Sequence, residues 1–338
     1  MAKVIAAFGE VMMRLQVPGY ELMSQASTLS YSFSGTGVNV LSALARFGHE
    51  GYLITSLPDN PIGDAAAASL RRLGISQSFV ARSGNYMGMY FLENGFGARP
   101  SRVTYSNRQE SSFNTALEGT YDFERIAKRL DMIHFCGITL AMNDNVRNHL
   151  FNFAEAVKAN GGIVVFDCNY RPSLWGDEGY GKAKPLYERM LKLADFVMMN
   201  ERDATHILGL SSDKPTRQEQ LIELVPAVAD RFGISVAAGT HRSVNADNTH
   251  SLQGYLYQDR QFVFSDQLTF PVYDRIGAGD AYTSGILHGL SEGFPSEQTV
   301  RFAAAAAMLA HTIAGDTPMS SESDIMRAMT RLAGDVER

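Results

Sequence analysis

Asp280 is the residue of this 338-residue chain whose neighbours best equip it for chemistry. It closes the string Gly277-Ala278-Gly279-Asp280. Before the string, Leu268, Phe270 and Val272 alternate with Gln267, Thr269 and Pro271, the period of a short, half-buried strand. After it, Ala278, Ala281, Gly285 and Gly289 recur with Ile286 and Leu290, the spacing of a helix whose small face packs closely. A Gly-Ala-Gly turn at a helix N-terminus offers unpaired N–H groups and the positive end of the helix dipole. That is an anion site, suited above all to a phosphate. A carboxylate beside a phosphate is repulsive unless it has a task, such as accepting a proton from an attacking group. The plainer reading is that Gly277 and Gly279 shape a turn and Asp280 caps the helix. Asp280 lies inside the first turn rather than before it, which weakens that account.

Other polar groups follow apolar runs of strand length. Ile163 to Asp167 leads into Asp167-Cys168-Asn169-Tyr170-Arg171-Pro172-Ser173-Leu174-Trp175. Arg171 is always charged and can clamp a carboxylate or a phosphate through two parallel hydrogen bonds. Arg108, just after Tyr105, is a second such candidate, and for both the alternative is a surface ion pair. Phe196 to Met199 leads into Asn200-Glu201-Arg202-Asp203. These oxygen-bearing groups suit Mg²⁺ bound through waters, or a helix N-cap with acids favoured by the dipole. Ser235 to Ala238 leads into Gly239-Thr240. Gly35 and Asn39, beside a helix start, could bind hydroxyls, or form a glycine turn with an Asn satisfying the backbone. The string Gly176 to Ala183 fits Gly-x-x-x-x-Gly-Lys, but Ala183 stands where a phosphate loop has Ser or Thr, and no strand precedes it. It reads as a surface loop with Lys182 in solvent.

The elements that must position these groups alternate. Strands are expected at Val4 to Phe8, Tyr52 to Ser56, Met132 to Cys136 and the three runs above. Helices are expected after Asn39, over Ile62 to Leu73, Phe123 to Leu130, Val146 to Asn160, Leu186 to Leu193 and Leu221 to Phe232. The alternation implies an α/β fold, a doubly wound and mostly parallel sheet with helices on both faces. In such sheets ligands bind beyond the carboxyl ends of the strands, so the polar groups above share one rim. Met87 to Leu92 and Arg102 to Tyr105 are consecutive extended runs with no helix between them. With the segment 10–33 they form a small β lid over residues 10–33 and 86–110. The core then takes 1–9, 34–85 and 111–338. The chain is 45% hydrophobic and 20% charged with a formal charge of -6 and no basic run, which argues against nucleic acid or anionic membrane as partners. Cys136 and Cys168 read as small core residues. No apolar run of membrane-spanning length and no leader pattern occur, so a cytoplasmic location is expected. No Gly-x-Gly-x-x-Gly follows the first strand, which counts against a dinucleotide fold.

The string Tyr273 to Gly285 resembles the second signature of the ribokinase (PfkB) family of carbohydrate kinases, and Ser34 to Val40 partly resembles the first. The family's frequent Gly-Gly is Ser34-Gly35 here, and its Asp-Thr is Asp274-Arg275. The string at Asp167 to Trp175, with Gly9-Glu10-x-Met12-x-Arg14-Leu15 and Tyr90-Phe91-Leu92-Glu93, is similar to 2-keto-3-deoxygluconate kinases within that family. The resemblance implies ATP and Mg²⁺ as cofactors and transfer of a phosphoryl group to the primary hydroxyl of a sugar acid. It makes Asp280 the catalytic base and the backbone of Gly277, Ala278 and Gly279 an anion hole. Gly35, Asn39, Tyr90, Tyr105, Arg108 and Arg171 would bind the sugar. Asn200 and Asp203 would lie near Mg²⁺ and the nucleotide, with Asp203 where the family has Glu. Gly239 and Thr240 would meet the nucleotide, and Ala304 to Ala307, Ala310, His311 and Gly315 would wall the adenine. A monovalent cation often sits near the Asp274 loop in the family, and Arg275 would bring its own charge there. A homodimer or higher homo-oligomer through the lid is a possible assembly. Alternatives are a kinase for a neutral sugar, nucleoside or sugar phosphate, or a silent sugar sensor on the same fold.

Overall fold

The computed structural model describes residues 2–177 and 179–330. Its large sheet runs, in spatial order, Gln261–Phe264, His250–Gln258, Val236–Val244, Phe196–Met198, Ile163–Asp167, Met132–Cys136, Val4–Phe8, Glu50–Leu57 and Ile75–Ser76. From Val236–Val244 across to Ile75–Ser76 every neighbouring pair is parallel. The other end is an antiparallel hairpin. The parallel strands are mostly apolar because helices cover both faces, and two core clusters lie on either side of the sheet. Cys136 and Cys168 are buried and unpaired, as expected.

Chain order reverses around Val4–Phe8. Glu50–Leu57 lies on one side of it, and the strands from Met132–Cys136 onward step away on the other. The polar strings after Asp167, Met198 and Ala238 therefore open on one rim, where α/β sheets bind ligands.

A second, four-stranded sheet stands apart, ordered Ser30–Ser34, Met12–Gln16, Gly88–Glu93 and Arg102–Ser106. Met12–Gln16 pairs parallel with Gly88–Glu93, and its other partner is antiparallel. The lid strand runs on through Ser34, one residue into the span expected for the core.

Two local readings are corrected. Gly179 to Ala183 is helical, the start of Gly179–Leu191, so the glycine-lysine string is no surface loop. Its helix begins well before Leu186 and carries Pro185 within it. Near the rim, Asp203–Ile207 forms a π-helical turn directly after Arg202.

Candidate active site

The helix Ala278–Glu292 begins at Gly277, which adopts φ 83° and ψ −7°, a left-handed conformation that favours glycine. A Cβ there would stand 1.7 Å from the Asp316 carbonyl oxygen, so nothing larger fits. Gly279 faces open space. Among the described residues, no hydrogen bond uses the N–H of Gly277, Ala278, Gly279 or Asp280. The cup thus keeps four donors at a positive helix end, the requirement for gripping an anion.

Asp280 is buried beside the cup and accepts a hydrogen bond from Asn39 Nδ2 at 2.7 Å. No side chain caps this helix, so the plain capping reading of Asp280 fails. Burial pushes its carboxyl up to about 7, against the opposing hydrogen bond from Asn39. A base poised near neutral pH suits proton transfer from an alcohol.

Cup and carboxylate line a cavity of ≈ 620 Å³. Gly35, Asn39, Tyr90, Tyr105, Arg108 and Arg171 line the same cavity, so the structure gathers all six expected sugar contacts around Asp280. Their hydrogen bonds refine the expectations. Asn39 gives its amide to Asp280 rather than to the backbone. Gly35 is dictated by packing, because a Cβ would lie 2.3 Å from the Glu10 carbonyl oxygen. Tyr90 donates to Asp316 and also meets Ser34 Oγ at 3.2 Å. Arg108 donates through Nε to Glu10 Oε2 at 2.8 Å, and its side chain is largely buried. Its Nη1 is buried with no partner among the described residues. Its guanidinium stacks over Tyr105 at 5.0 Å. Glu10, which the sequence offered only as part of a motif, also accepts from Ser111 and Asn114. It is the post that aims Arg108.

A second cavity of ≈ 300 Å³ adjoins the first, sharing Asn169, Arg171, Thr240 and Gly279. Asn200, Asp203, Gly239 and Thr240 line it, as does Asp167. Burial pushes Asp203 up to about 7 and Asp167 up to about 6. Arg171 pulls both, and Asp280, the other way. Asn169 Oδ1 is buried without a partner among the described residues. Buried carboxylates with raised affinity for protons, beside an unpartnered carbonyl oxygen, are a donor set suited to a hard divalent cation. No three-acid or histidine cage for a metal occurs among the described residues, so water must complete any coordination. Glu201 does not join this set. It is turned to Arg217 and His241, whose hydrogen bonds hold it near 2 although burial alone would raise it.

The expected adenine wall divides. Ala307 is buried in the core and lines neither cavity, as are Ala303 to Ala306. His311 lines the larger cavity, but its Nδ1 donates to the Ala307 carbonyl, and burial lowers it to about 4, leaving it neutral. The positive charge against Asp274 comes from Arg14, at 2.7 Å, rather than from the neighbouring Arg275.

Residues 2–323 match the family model of the pfkB family carbohydrate kinases. The chain belongs to that family. As a pfkB-family kinase it is 28% identical to a 2-dehydro-3-deoxygalactonokinase of Haloferax volcanii, over 97% of each chain. It is 29% identical to a 2-dehydro-3-deoxygluconokinase of Dickeya dadantii, over 61% of this chain and 66% of the other. A structure from Enterococcus faecalis, provisionally described as a 2-keto-3-deoxygluconate kinase, superposes with a TM-score of 0.95 at 39% identity, covering 100% of this chain and 99% of that one. The 2-dehydro-3-deoxygluconokinase of Thermotoga maritima superposes at 0.92 with 31% identity, over 97% and 100% of the two chains. No helix among the described residues is long and apolar enough to cross a membrane.

Proposed function

We propose that this carbohydrate kinase phosphorylates the primary hydroxyl of a 2-keto-3-deoxy sugar acid from ATP, with 2-keto-3-deoxygluconate giving the 6-phosphate as the first substrate to test. The observation that carries the acid specificity is Arg108. Glu10 holds its Nε, its ring-stacked guanidinium faces the cavity, and Nη1 has no partner among the described residues. A buried, oriented, unsatisfied guanidinium donor is costly unless a ligand completes it, and a sugar carboxylate does so. The names of the Haloferax, Dickeya and Thermotoga relatives support the same substrate class.

In the reaction, the sugar lies between the lid and Asn39, with its carboxylate toward Arg108 and its hydroxyl toward Asp280. Asp280 removes the hydroxyl proton while the oxygen forms its bond to the γ-phosphorus. The bond from that phosphorus to the bridging oxygen breaks, and ADP leaves. The N–H groups of Gly277 to Asp280 hold the charge on the transferring group, which positioning and charge neutralisation chiefly promote. Asn200, Asp203 and Asp167 would hold Mg²⁺ through waters, where it would neutralise the nucleotide phosphates. Fold relatives below 20% identity, a Xylella fastidiosa fructokinase and an Escherichia coli ribokinase-like protein, were solved with ATP, the latter with Mg²⁺ as well.

A coupled ADP-release assay over acid and neutral sugars tests the reading. Turnover should be highest with 2-keto-3-deoxy sugar acids and should fall for fructose and ribose. Equal or better turnover of a neutral sugar would overturn the acid specificity.

A further inference from the structure

Among the described residues Arg14 is the largest fully buried side chain, and it lines neither of the two cavities. It lies in the lid strand Met12–Gln16. Its Nη1 donates to Asp316 Oδ1 and its Nη2 to Asp274 Oδ2, so one guanidinium bridges two buried carboxylates. Gln16 holds its remaining edge. A second pair of lid side chains converges on the same acid, because Ser34 and Tyr90 both donate to Asp316 Oδ2.

The two carboxylates in turn shape the cup. Asp274 Oδ1 accepts from the Ile276 N–H, the residue just before Gly277, and Asp274 Oδ2 accepts from Gly315. The Asp316 carbonyl is the surface against which Gly277 is pressed. An apolar contact runs alongside, with Ile276 packed on Met12, Tyr90 and Leu92 of the lid. Three lid strands are therefore fastened to the two segments that fix the phosphoryl cup. A buried ion cluster of this kind adds little net stability, but it strongly specifies one arrangement.

We infer that Arg14 is a positioning residue that ties the lid's seat on the sugar to the geometry of the phosphoryl cup. The inference rests on the kinase reading but not on which sugar is used. With the lid settled on substrate, Arg14 holds Asp274 and Asp316 where the four N–H groups converge. With the bridge cut, the lid can close without setting the cup.

Two variants keep the test independent of misfolding. Arg14→Lys keeps the charge but loses the fork that reaches both acids. Arg14→Gln combined with Asp316→Asn keeps the cluster's net charge and removes the bridge. The first readout is amide hydrogen exchange, which needs no sugar. Across 274–281, the bonded amides of Asp274, Ile276 and Ala281 should exchange at least tenfold faster in both variants, while the strands Val4–Phe8 and Met132–Cys136 keep their protection. The second readout uses the panel sugar that wild type turns over best. The kcat should fall tenfold or more with the sugar KM changed less than threefold, and the gain in non-hydrolysable ATP analogue affinity caused by sugar should disappear. Unchanged exchange across 274–281, or equal quickening in the core strands, overturns the proposal. So does a kcat loss that leaves the sugar-induced gain intact. A wild type that phosphorylates no panel sugar would count against the substrate reading, and the exchange result would still decide the role of Arg14.

Discussion

Replacing Asp280 by Asn keeps the side chain's shape and removes its capacity to take a proton. The Asn39 amide, 2.7 Å from the Asp280 carboxylate, can donate equally well to an Asn carbonyl, so the local geometry survives. General bases contribute about 10²- to 10⁴-fold, so kcat should fall by that range, with the KM of sugar and ATP little changed. Stability should move the other way. Burial raises the folded carboxyl to about 7, far above an unfolded Asp. A carboxylate raised on folding stabilises the protein only while protonated, and that contribution is lost as pH rises through about 7. The gap corresponds to at most about 4 kcal/mol of penalty on the charged form. Asp280→Asn removes the penalty, so its Tm should exceed wild type by several degrees at pH 8, and the two should converge near pH 4. In wild type, kcat/KM should climb with pH toward a plateau above about 7. Steady-state kinetics and differential scanning calorimetry over pH 4–9 check all three points. Near wild-type kcat in the variant would remove Asp280 from the chemistry, and a lower Tm at pH 8 would refute the burial argument.

Arg108→Gln should raise the KM for a sugar acid about 10- to 100-fold, the worth of a charge-assisted hydrogen bond, and leave a slow neutral sugar unaffected in parallel assays. Gly277→Ala should cost most of the activity, since the new methyl collides with the Asp316 carbonyl, and inhibition by ADP should weaken in step when titrated. His49 Nε2 and His288 Nδ1 meet at 2.9 Å in the core, and burial lowers both pKa values, so charging either destabilises the fold. The Tm should therefore fall as pH drops below about 6.5, the unfolded value, and the fall should be shallower in a His288→Asn variant. We also propose that the lid pairs with a second copy through its exposed Tyr31 and Val103, and Tyr31→Glu should then shift the sedimentation coefficient to that of a monomer.

The strand ends were legible because parallel strands buried on both faces are plain apolar runs, and whatever polar residue follows must lie on the rim. Val4 to Phe8, Met132 to Cys136 and Ile163 to Asp167 matched their expected bounds for that reason. The Gly277 turn was legible because few residue types tolerate a left-handed φ. The hairpin of His250–Gln258 and Gln261–Phe264 was not expected. Its turn places Asp259 and Arg260 at positive φ, where Asn-Gly is the usual signal. The alternation of Leu252, Gly254 and Leu256 was the cue available. The alanines of the last long helix pointed to close packing, but composition does not say against what. They pack on the sheet, and only His311 reaches the cavity. The roles of Glu10 and Arg14 were out of reach, since each depends on partners about a hundred or more positions away.

Arg14 and Asp316 are separated by 302 positions. A ribosome adding about 5–20 residues per second reaches the second roughly 15–60 s after the first. Through most of that interval the strand Met12–Gln16 carries a cation whose native counter-charges, first Asp274 and then Asp316, do not yet exist. The helices beside Val4–Phe8 can stack early, but the β flap lacks its full anchorage until Asp316 has emerged. Truncations that stop short of Asp316 should thus leave that flap without its second carboxylate and without the carbonyl that seats Gly277.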